Sequence, residues 1–479
     1  MVRAGSQRTG PVRMPGKGGG RMPAHLAWID WHQHGTPGRR ARVRTAHPAA
    51  SARGLPPFLA SLLALLVACA GPAVPGTLDV DGRLLDLYGS PVGEVDVIVA
   101  GFDPVDVGPD GRFSIEGIVP PYDVTVVSSE DRWAHRFVGL EVAAPRLAPL
   151  ATLLQRSSTY QVGLVTGSLS PPVASGQIAV VTVSSTTAEA GGRTVYIEGA
   201  DRYEVRTEWY GGGALDATVR AVLYDVDDAG RSTGVAASGS ADVTITDLAI
   251  VHRDLVAVPV AESSLTLQAV LPDGHHPNWI VIGARVGEDR SIQYVPTGGP
   301  ATSATVRVPD LAGSRFLALI SSTTYAGIES YAWRGDLAAG ADATLAPPAP
   351  PAMLEPLDGA VNVGPGDVFR VAERSDAGHL FTFEPVTPTD GPRFYVSTAA
   401  AEARLPDLAD VTPDLAVPSG VAYRWRVFTG ALSDDEAPPF DDDATSAFAL
   451  LLHAAGSIGT APRASGSYVM TGPIGFTTR

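Results

Sequence analysis

One loop of the sequence has the density of carboxylates that a calcium site needs. Asp225, Asp227 and Asp228 lie within four residues of one another, and Ca²⁺ binds preferentially to oxygen ligands. The loop has no acid at its fifth position, and Ala236 stands where a bidentate glutamate would close the coordination. We therefore predict a polar hairpin turn, with no bound metal, and keep these three aspartates as weak metal candidates.

Two other groups of polar residues could ligate a metal. His275 and His276 follow a carboxylate, and these are ligand types of a zinc site, but adjacent residues of a strand point to opposite faces, so a loop tip is the better interpretation. An acidic run surrounds Pro438, and charge runs are usually solvated loops, although a weak cation site is an alternative. The run comprises Asp434, Asp435, Glu436, Asp441, Asp442 and Asp443.

Aromatic side chains are the remaining candidates for ligand binding. Trp209 and Trp333 could form stacking platforms for sugars or for a protein partner. Large aromatic residues are more often packed in a core, so both are weak candidates. The sequence contains no G-x-S-x-G elbow, phosphate loop or dinucleotide fingerprint. We predict a non-catalytic protein without a cofactor.

Composition limits the elements that could position such residues. The chain has 479 residues, of which 52 are Gly and 40 are Pro. This length favours several domains, and this frequency of helix-breaking residues disfavours long helices.

Charge is distributed unevenly along the chain. Residues 1–68 hold ten basic residues and one acid, Asp30. The remainder holds 25 basic and 50 acidic residues, a net charge of −25. Because binding to a polyanion requires clustered Lys or Arg, nucleic acid is excluded as an expected partner.

An export signal precedes the acidic part of the chain. Leu55 to Ala68 form an apolar run of 14 residues after an Arg-rich stretch, which is typical of a signal peptide and shorter than the roughly 20 residues of a membrane span. The run ends Leu66-Val67-Ala68-Cys69, and Cys69 is the only cysteine. This ending resembles the lipobox of bacterial lipoproteins, and an ordinary signal with an incidental cysteine is the alternative.

The lipobox resemblance implies cleavage between Ala68 and Cys69 and lipidation of Cys69. Ala70 in place of Asp then favours the outer membrane. We predict a signal peptide over residues 53–68 and a lipidated tether over 69–76. Residues 1–52 are predicted to be a disordered basic extension, or to lie upstream of the true start.

Short strands separated by turn residues follow, and they predict an all-β chain of tandem β-sandwiches. In the first segment, residues 77–154, Asp110-Gly111 predicts a hairpin because both residues tolerate positive φ. The segments Asp110-Gly111-Arg112-Phe113 and Pro120-Pro121-Tyr122-Asp123 resemble the carboxypeptidase regulatory-like domain. That resemblance implies a transthyretin-like sandwich of about seven strands without catalytic residues.

Three further sandwiches are predicted, over residues 155–260, 261–345 and 353–479. The sequence Ala-Pro-Pro-Ala-Pro-Pro-Ala at 346–352 predicts a stiff linker before the last of them. Tyr423, Trp425 and Val427 alternate in one strand, and their spacing resembles a fibronectin type III-like domain. That resemblance implies a strand whose aromatic residues are buried in the core.

Together these features predict a lipid-anchored protein of the cell envelope with a structural, binding or adhesive role. Its expected partners are the membrane, through Cys69, and an unidentified protein or glycan. Two alternatives remain open at this stage. One is an envelope hydrolase whose site is assembled across modules, and the other is a carbohydrate-binding accessory protein.

Overall fold

The described part of the chain is almost entirely β-structure, so the prediction of an all-β fold is confirmed. Every described residue belongs to one compact unit, Trp31–Arg479; the other unit, Met1–Asp30, lies outside the described residues. The computed structural model describes residues 76–85, 91–150, 160–186, 190–210, 213–287, 293–374, 377–432 and 465–479.

The first segment forms a sandwich of seven described strands. One sheet has the order β4-β1-β7, and it faces β6, β5, β2 and β3 across a shared apolar core. The strands are β1 (Leu78–Leu84), β2 (Asp96–Ile98), β3 (Val105–Asp106), β4 (Arg112–Ile118), β5 (Tyr122–Ser128), β6 (Trp133–Leu140) and β7 (Arg146–Leu147).

The predicted turn at Asp110-Gly111 lies directly before β4. Gly111 has φ +73°, and a Cβ at this position would lie 2.4 Å from the carbonyl oxygen of Leu84. Glycine is therefore required both by the backbone conformation and by the close approach of β1.

The second segment contributes eight strands to one sheet of order β13-β12-β9-β10-β11-β8-β14, with β15 also pairing with β8. A bridge between Ser238 and Val258 brings the two ends of this sheet together, with N···O distances of 2.9 and 3.0 Å. The strands are β8 (Tyr160–Ser170), β9 (Gln177–Ser184), β10 (Ala190–Tyr196), β11 (Arg202–Tyr210), β12 (Leu215–Val226), β13 (Ser232–Ile245), β14 (Ile250–His252) and β15 (Leu255–Val256).

The third segment also forms a sandwich. A three-stranded sheet, β19-β16-β22, faces β18, β17, β20 and β21. The strands are β16 (Glu262–Ala269), β17 (His275–Val286), β18 (Gln293–Val295), β19 (Ser303–Pro309), β20 (Ser314–Thr324), β21 (Glu329–Leu337) and β22 (Asp342–Leu345).

The fourth segment buries Tyr423, Trp425 and Val427, as its sequence pattern predicts. Its three-stranded sheet, β23-β25-β28, packs on the strands around β29, and a 3₁₀ turn spans Pro413–Leu415. The strands are β23 (Met353–Glu355), β24 (Ala360–Val363), β25 (Phe369–Val371), β26 (Gly378–Pro385), β27 (Arg393–Thr398), β28 (Glu402–Ala403), β29 (Ala422–Leu432), β30 (Gly466–Met470) and β31 (Ile474–Thr478).

Three of the four segments share one 14-stranded sheet within the described residues. The third segment joins the fourth where β21 pairs with β30, and the fourth joins the first where β27 pairs with β6 in parallel. The first and fourth segments are therefore hydrogen-bonded neighbours, although residues 155–352 separate them in sequence.

Apolar cores also cross the predicted segment boundaries. Val180, Val222 and Tyr224 of the second segment are buried with Leu265 and Ile282 of the third.

Residues 346–352 form no strand, and the hydroxyl of Ser330 donates a 2.6 Å hydrogen bond to the carbonyl oxygen of Pro348. The segments thus pack against one another, while their boundaries remain predictions.

Candidate functional site

The outer face of the second segment carries a cleft of about 660 Å³. It lies where β8, the start of β11 and the end of β14 are adjacent, and nearly all of its lining is polar or aromatic. The lining residues are Thr166, Gly167, Ser168, Tyr196, Arg202, Tyr203, Glu204, His252 and Asp254.

Strand pairing arranges the polar side chains of this cleft in two rows. In the first row, Thr166 lies between Glu204 on β11 and His252 on β14. In the second row, Ser168 lies between Arg202 on β11 and Asp254, which follows β14. Neighbouring residues within a row are about 4.8 Å apart, because they lie on adjacent strands. The two rows are about 7 Å apart, because they use alternate residues of each strand. The two rows therefore form a compact polar grid.

Asp254 is the most firmly held carboxylate of the cleft. Its Oδ1 accepts hydrogen bonds from the backbone N–H of Ser168 at 2.8 Å and from the Ser168 hydroxyl at 2.6 Å. These hydrogen bonds lower the pKa of Asp254, because they stabilise its charged form. His252 Nε2 lies 3.1 Å from the same oxygen. The carboxylate is therefore ionised and fixed in orientation.

The three residues Ser168, Asp254 and His252 do not have the arrangement of an acyl-transfer triad. A nucleophilic serine requires a histidine as its base, oriented in turn by a carboxylate. Here the carboxylate lies between the other two, and the hydroxyl donates to Asp254, whose lowered pKa makes it a poor base. His252 is therefore not placed to take the proton of the Ser168 hydroxyl.

Close packing beneath the cleft fixes the strand that carries His252 and Asp254. A Cβ on Gly167 would lie 1.6 Å from the carbonyl oxygen of Arg253, so only glycine allows this approach. The Tyr203 hydroxyl donates to the same carbonyl oxygen at 2.5 Å, and burial raises the pKa of Tyr203 to about 12. The Tyr196 hydroxyl donates to the carbonyl oxygen of Glu204 at 2.7 Å, which holds the Tyr196 ring at the rim.

The acidic loop predicted from sequence forms a hydrogen-bonded turn between β12 and β13. Asp227 Oδ1 accepts hydrogen bonds from the backbone N–H groups of Ala229 at 3.0 Å and Arg231 at 2.8 Å. Asp225 accepts one from Gln177 at 2.8 Å, and Asp228 is exposed. The carboxylates of Asp225 and Asp227 thus bind protein donors. In the described residues no group of three or more His, Cys, Asp or Glu side chains could hold a metal.

Replacing Asp227 with alanine is expected to lower the free energy of unfolding by about 1 kcal/mol, because two backbone donors lose their acceptor at an exposed turn. Thermal unfolding monitored by circular dichroism measures the effect. Asp228→Ala is the matched control and is expected to leave the unfolding midpoint unchanged. An increase of the wild-type midpoint in millimolar calcium that Asp227→Ala abolishes would contradict the turn interpretation.

His275 and His276 begin β17, immediately after the turn at Asp273 and Gly274. His275 Nδ1 lies 3.1 Å from the hydroxyl oxygen of Ser322. The ring of His276 instead lies beside the ring of Tyr325, with centroids 4.9 Å apart. The two imidazoles therefore contact different partners. No sequence motif indicates a role for Tyr325, which is 97% exposed at the tip of the β20–β21 hairpin.

Trp209 and Trp333 are both core residues. Trp209 is 2% exposed inside the second segment, and Trp333 is 4% exposed in the core that the first, third and fourth segments share. A ring buried to this extent offers no face to a ligand, so the stacking interpretation is replaced by core packing. The period of two places Trp209 inward, together with Tyr203 and Val205.

Other predicted positions lie outside the described residues. These are Ala68 and Cys69 of the lipobox and the acidic run from Asp434 to Asp443. In the part of the chain that the structure does describe, no helix has the length and apolar character needed to cross a bilayer.

No protein-family model matches this chain, and neither does any curated protein. Solved structures that match include a leucine-rich repeat protein from Bacteroides thetaiotaomicron, at 12% identity over 40% of this chain and 27% of that one, with a TM-score of 0.15. This chain thus spans about a quarter of that protein.

Two other matches are surface-fibre proteins. The tip fimbrial protein Mfa3 from Porphyromonas gingivalis is 11% identical over 36% of this chain and 81% of its own, with a TM-score of 0.16. The shaft pilin SpaA from Lactobacillus rhamnosus GG is 11% identical over 40% of this chain and 99% of its own, with a TM-score of 0.13. These names describe those proteins alone.

Proposed function

We propose that this chain is a lipid-anchored protein of the cell envelope that has a structural, binding or adhesive role and is not a catalyst. The anchor proposal rests on the apolar run that ends Leu66-Val67-Ala68-Cys69. Leu78, where β1 begins, lies nine positions after Cys69, so the tether reaches at most about 30 Å. The first segment would then lie close to the membrane.

The observation that carries the structural role is the parallel pairing of β6 with β27. Five registered residue pairs, from Arg393 opposite Trp133 to Ser397 opposite Phe137, join the segment nearest the anchor to the fourth segment. The side chain of Arg132 also donates to the carbonyl oxygen of Thr389 at 3.1 Å. Such a connection supports a rigid body held directly at its anchored end, rather than modules strung on linkers.

The site geometry supports a binding role rather than a catalytic one. In the cleft the Ser168 hydroxyl donates to Asp254, and no histidine among the described residues is placed to activate it as a nucleophile. Saturable hydrolysis of ester, peptide or glycoside probes by the purified full chain would contradict this part of the proposal.

Metabolic labelling with a palmitate analogue tests the anchor. The wild-type chain is expected to incorporate the label, and Cys69→Ala is expected to lose it almost completely, because lipidation requires the thiol. Ala70→Ser keeps the thiol and serves as the control that retains the label. Equal labelling of the wild type and Cys69→Ala would overturn the anchor proposal, and fractionation of labelled cells would show which membrane holds the protein.

A further inference from the structure

The cleft on the second segment presents hydrogen-bond donors and acceptors in alternation. Glu204 and Asp254 supply acceptors, Arg202 supplies donors, the Thr166 hydroxyl can do both, and the Ser168 hydroxyl, which donates to Asp254, can accept. The grid contains charges of both signs, so it does not select for a strongly anionic or cationic ligand. A polyhydroxyl ligand matches this pattern, because each of its hydroxyl groups both donates and accepts.

Apolar surface borders the polar grid on two sides. The Tyr196 ring lines the cleft at the end of β10. On the opposite side lie Ile250 and Val256, whose side chains are 71% and 68% exposed. Together with His252 and Asp254 they occupy alternate positions of the chain. A sugar ring has hydroxyl groups at its edge and apolar C–H groups on its faces, so it matches a polar floor bordered by an aromatic ring and aliphatic side chains.

The grid is organised before any ligand binds. Arg202, Glu204, Thr166 and Ser168 project from paired strands, and two hydrogen bonds from Ser168 fix the carboxylate of Asp254. The backbone positions and the Asp254 carboxylate are fixed in this way, so they lose little conformational entropy on binding, which increases affinity. The cleft volume also falls within the range of about 300–1,000 Å³ that is usual for small-ligand sites.

We propose that this cleft binds a neutral oligosaccharide. Glu204 and Asp254 accept hydrogen bonds from the sugar hydroxyls, Arg202 donates to them, and the Tyr196 ring contacts an apolar face of the sugar. This inference gives a ligand class to the binding role proposed above. It does not depend on the lipid anchor.

Affinity electrophoresis of the full chain in gels that contain a β-glucan, xylan, mannan or dextran tests the proposal. The wild type is expected to be retarded by at least one of these neutral polysaccharides. Glu204→Gln and Arg202→Ala are each expected to raise the dissociation constant at least tenfold. Asp242→Asn, which changes an exposed carboxylate in a different groove of the same segment, is the matched control and should bind like the wild type.

Three results would overturn the proposal. The first is no retardation of the wild type by any of the four polysaccharides. The second is equal retardation of the wild type and both cleft variants, with circular dichroism showing that all are folded. The third is retardation only in gels with a polyanion such as polygalacturonate, which would indicate an anion site at Arg202. Cys69→Ala should bind like the wild type, so failure of the anchor and failure of the cleft are distinguishable.

Discussion

Acidification from pH 7 to pH 4.5 is expected to lower the free energy of unfolding of this protein by about 5 kcal/mol, because His135 and His379 are buried without charge. His135 lies on β6 beside β27 and is buried, and this burial lowers its pKa to about 3. Burial also lowers the pKa of His379 to about 4, with a smaller contribution from Arg374.

The contacts of His135 fix it in a neutral form. The backbone N–H of Leu150 donates to Nδ1 at 2.9 Å, so the proton must be on Nε2, which lies 2.8 Å from the Ser397 hydroxyl. The imidazole is stacked on Phe137 with ring centroids 4.1 Å apart. A second proton on Nδ1 would break the hydrogen bond to Leu150 and place a charge in an apolar interface.

His379 lies on β26 of the fourth segment, and its Nδ1 is 3.0 Å from the hydroxyl of Thr429. Among the described residues its buried Nε2 has no hydrogen-bond partner. Protonation would therefore charge the ring without a group to stabilise the new N–H.

The direction of the pH dependence follows from these lowered pKa values. In the unfolded chain each histidine takes up a proton near pH 6.5, whereas the folded chain resists protonation until about pH 3 for His135 and about pH 4 for His379. Stability is thus complete above pH 6.5 and is lost as the pH falls below it. At pH 4.5 each histidine contributes a loss of about 2.5 kcal/mol.

Urea unfolding at pH 7 and at pH 4.5, followed by tryptophan fluorescence, measures this difference. His135→Gln retains a donor and an acceptor but cannot titrate, so we expect it to reduce the pH-dependent loss by about 2.5 kcal/mol. His252→Gln changes an exposed histidine and is the control. An acid-induced loss of the same size in the wild type and His135→Gln would contradict the assignment to His135.

Replacing Trp425 with alanine is expected to lower the free energy of unfolding by about 4 kcal/mol, because it leaves a large cavity in the core of the fourth segment. The ring is fully buried, with centroids 5.3 Å from Phe369 in an edge-to-face contact and 6.2 Å from Phe381 in a stacked one. Few neighbours can move to fill the space, because Phe369 also packs against Phe383 and Phe476.

Thermal unfolding of Trp425→Ala, compared with Tyr325→Ala, tests this expectation. Tyr325 is an exposed aromatic residue, so its removal is expected to change stability by less than about 0.5 kcal/mol. A loss of less than about 1 kcal/mol for Trp425→Ala would show that this core does not stabilise the fourth segment as the packing implies.

Much of the local structure was predictable from sequence, because it depends on short-range periodicity. The alternation in Arg202–Tyr210 predicts one buried and one exposed face, and Tyr203, Val205 and Trp209 are buried as that pattern requires. Asp110-Gly111 predicts a turn because few residue pairs tolerate its backbone angles. The burial of Tyr423 and Trp425 is what the resemblance to a fibronectin type III-like domain implied.

The candidate site was not predictable in the same way. Arg202 and Glu204 are alternate, exposed residues of β11, and His252 and Asp254 are alternate, exposed residues at and just after the end of β14. In the sequence each pair has the pattern of an ordinary solvated strand face. The cleft exists only because β8 pairs with both strands and places Thr166 and Ser168 between them. The usable signal was two pairs of alternating polar residues. Thr166 and Ser168 lie near the start of the predicted second segment, and His252 and Asp254 lie near its end.

By itself the sequence determined the fold class, the strands and turns with strong local patterns, the acidic charge after residue 68 and the export-signal pattern. Tertiary structure alone decided which strands are neighbours. His135 meets Ser397 across 262 positions of sequence, and β6 pairs with β27 to join the first and fourth segments. Local periodicity determines which face of a strand is buried. Which strand pairs with it depends on the packing of whole segments, and no short-range sequence pattern predicts that pairing.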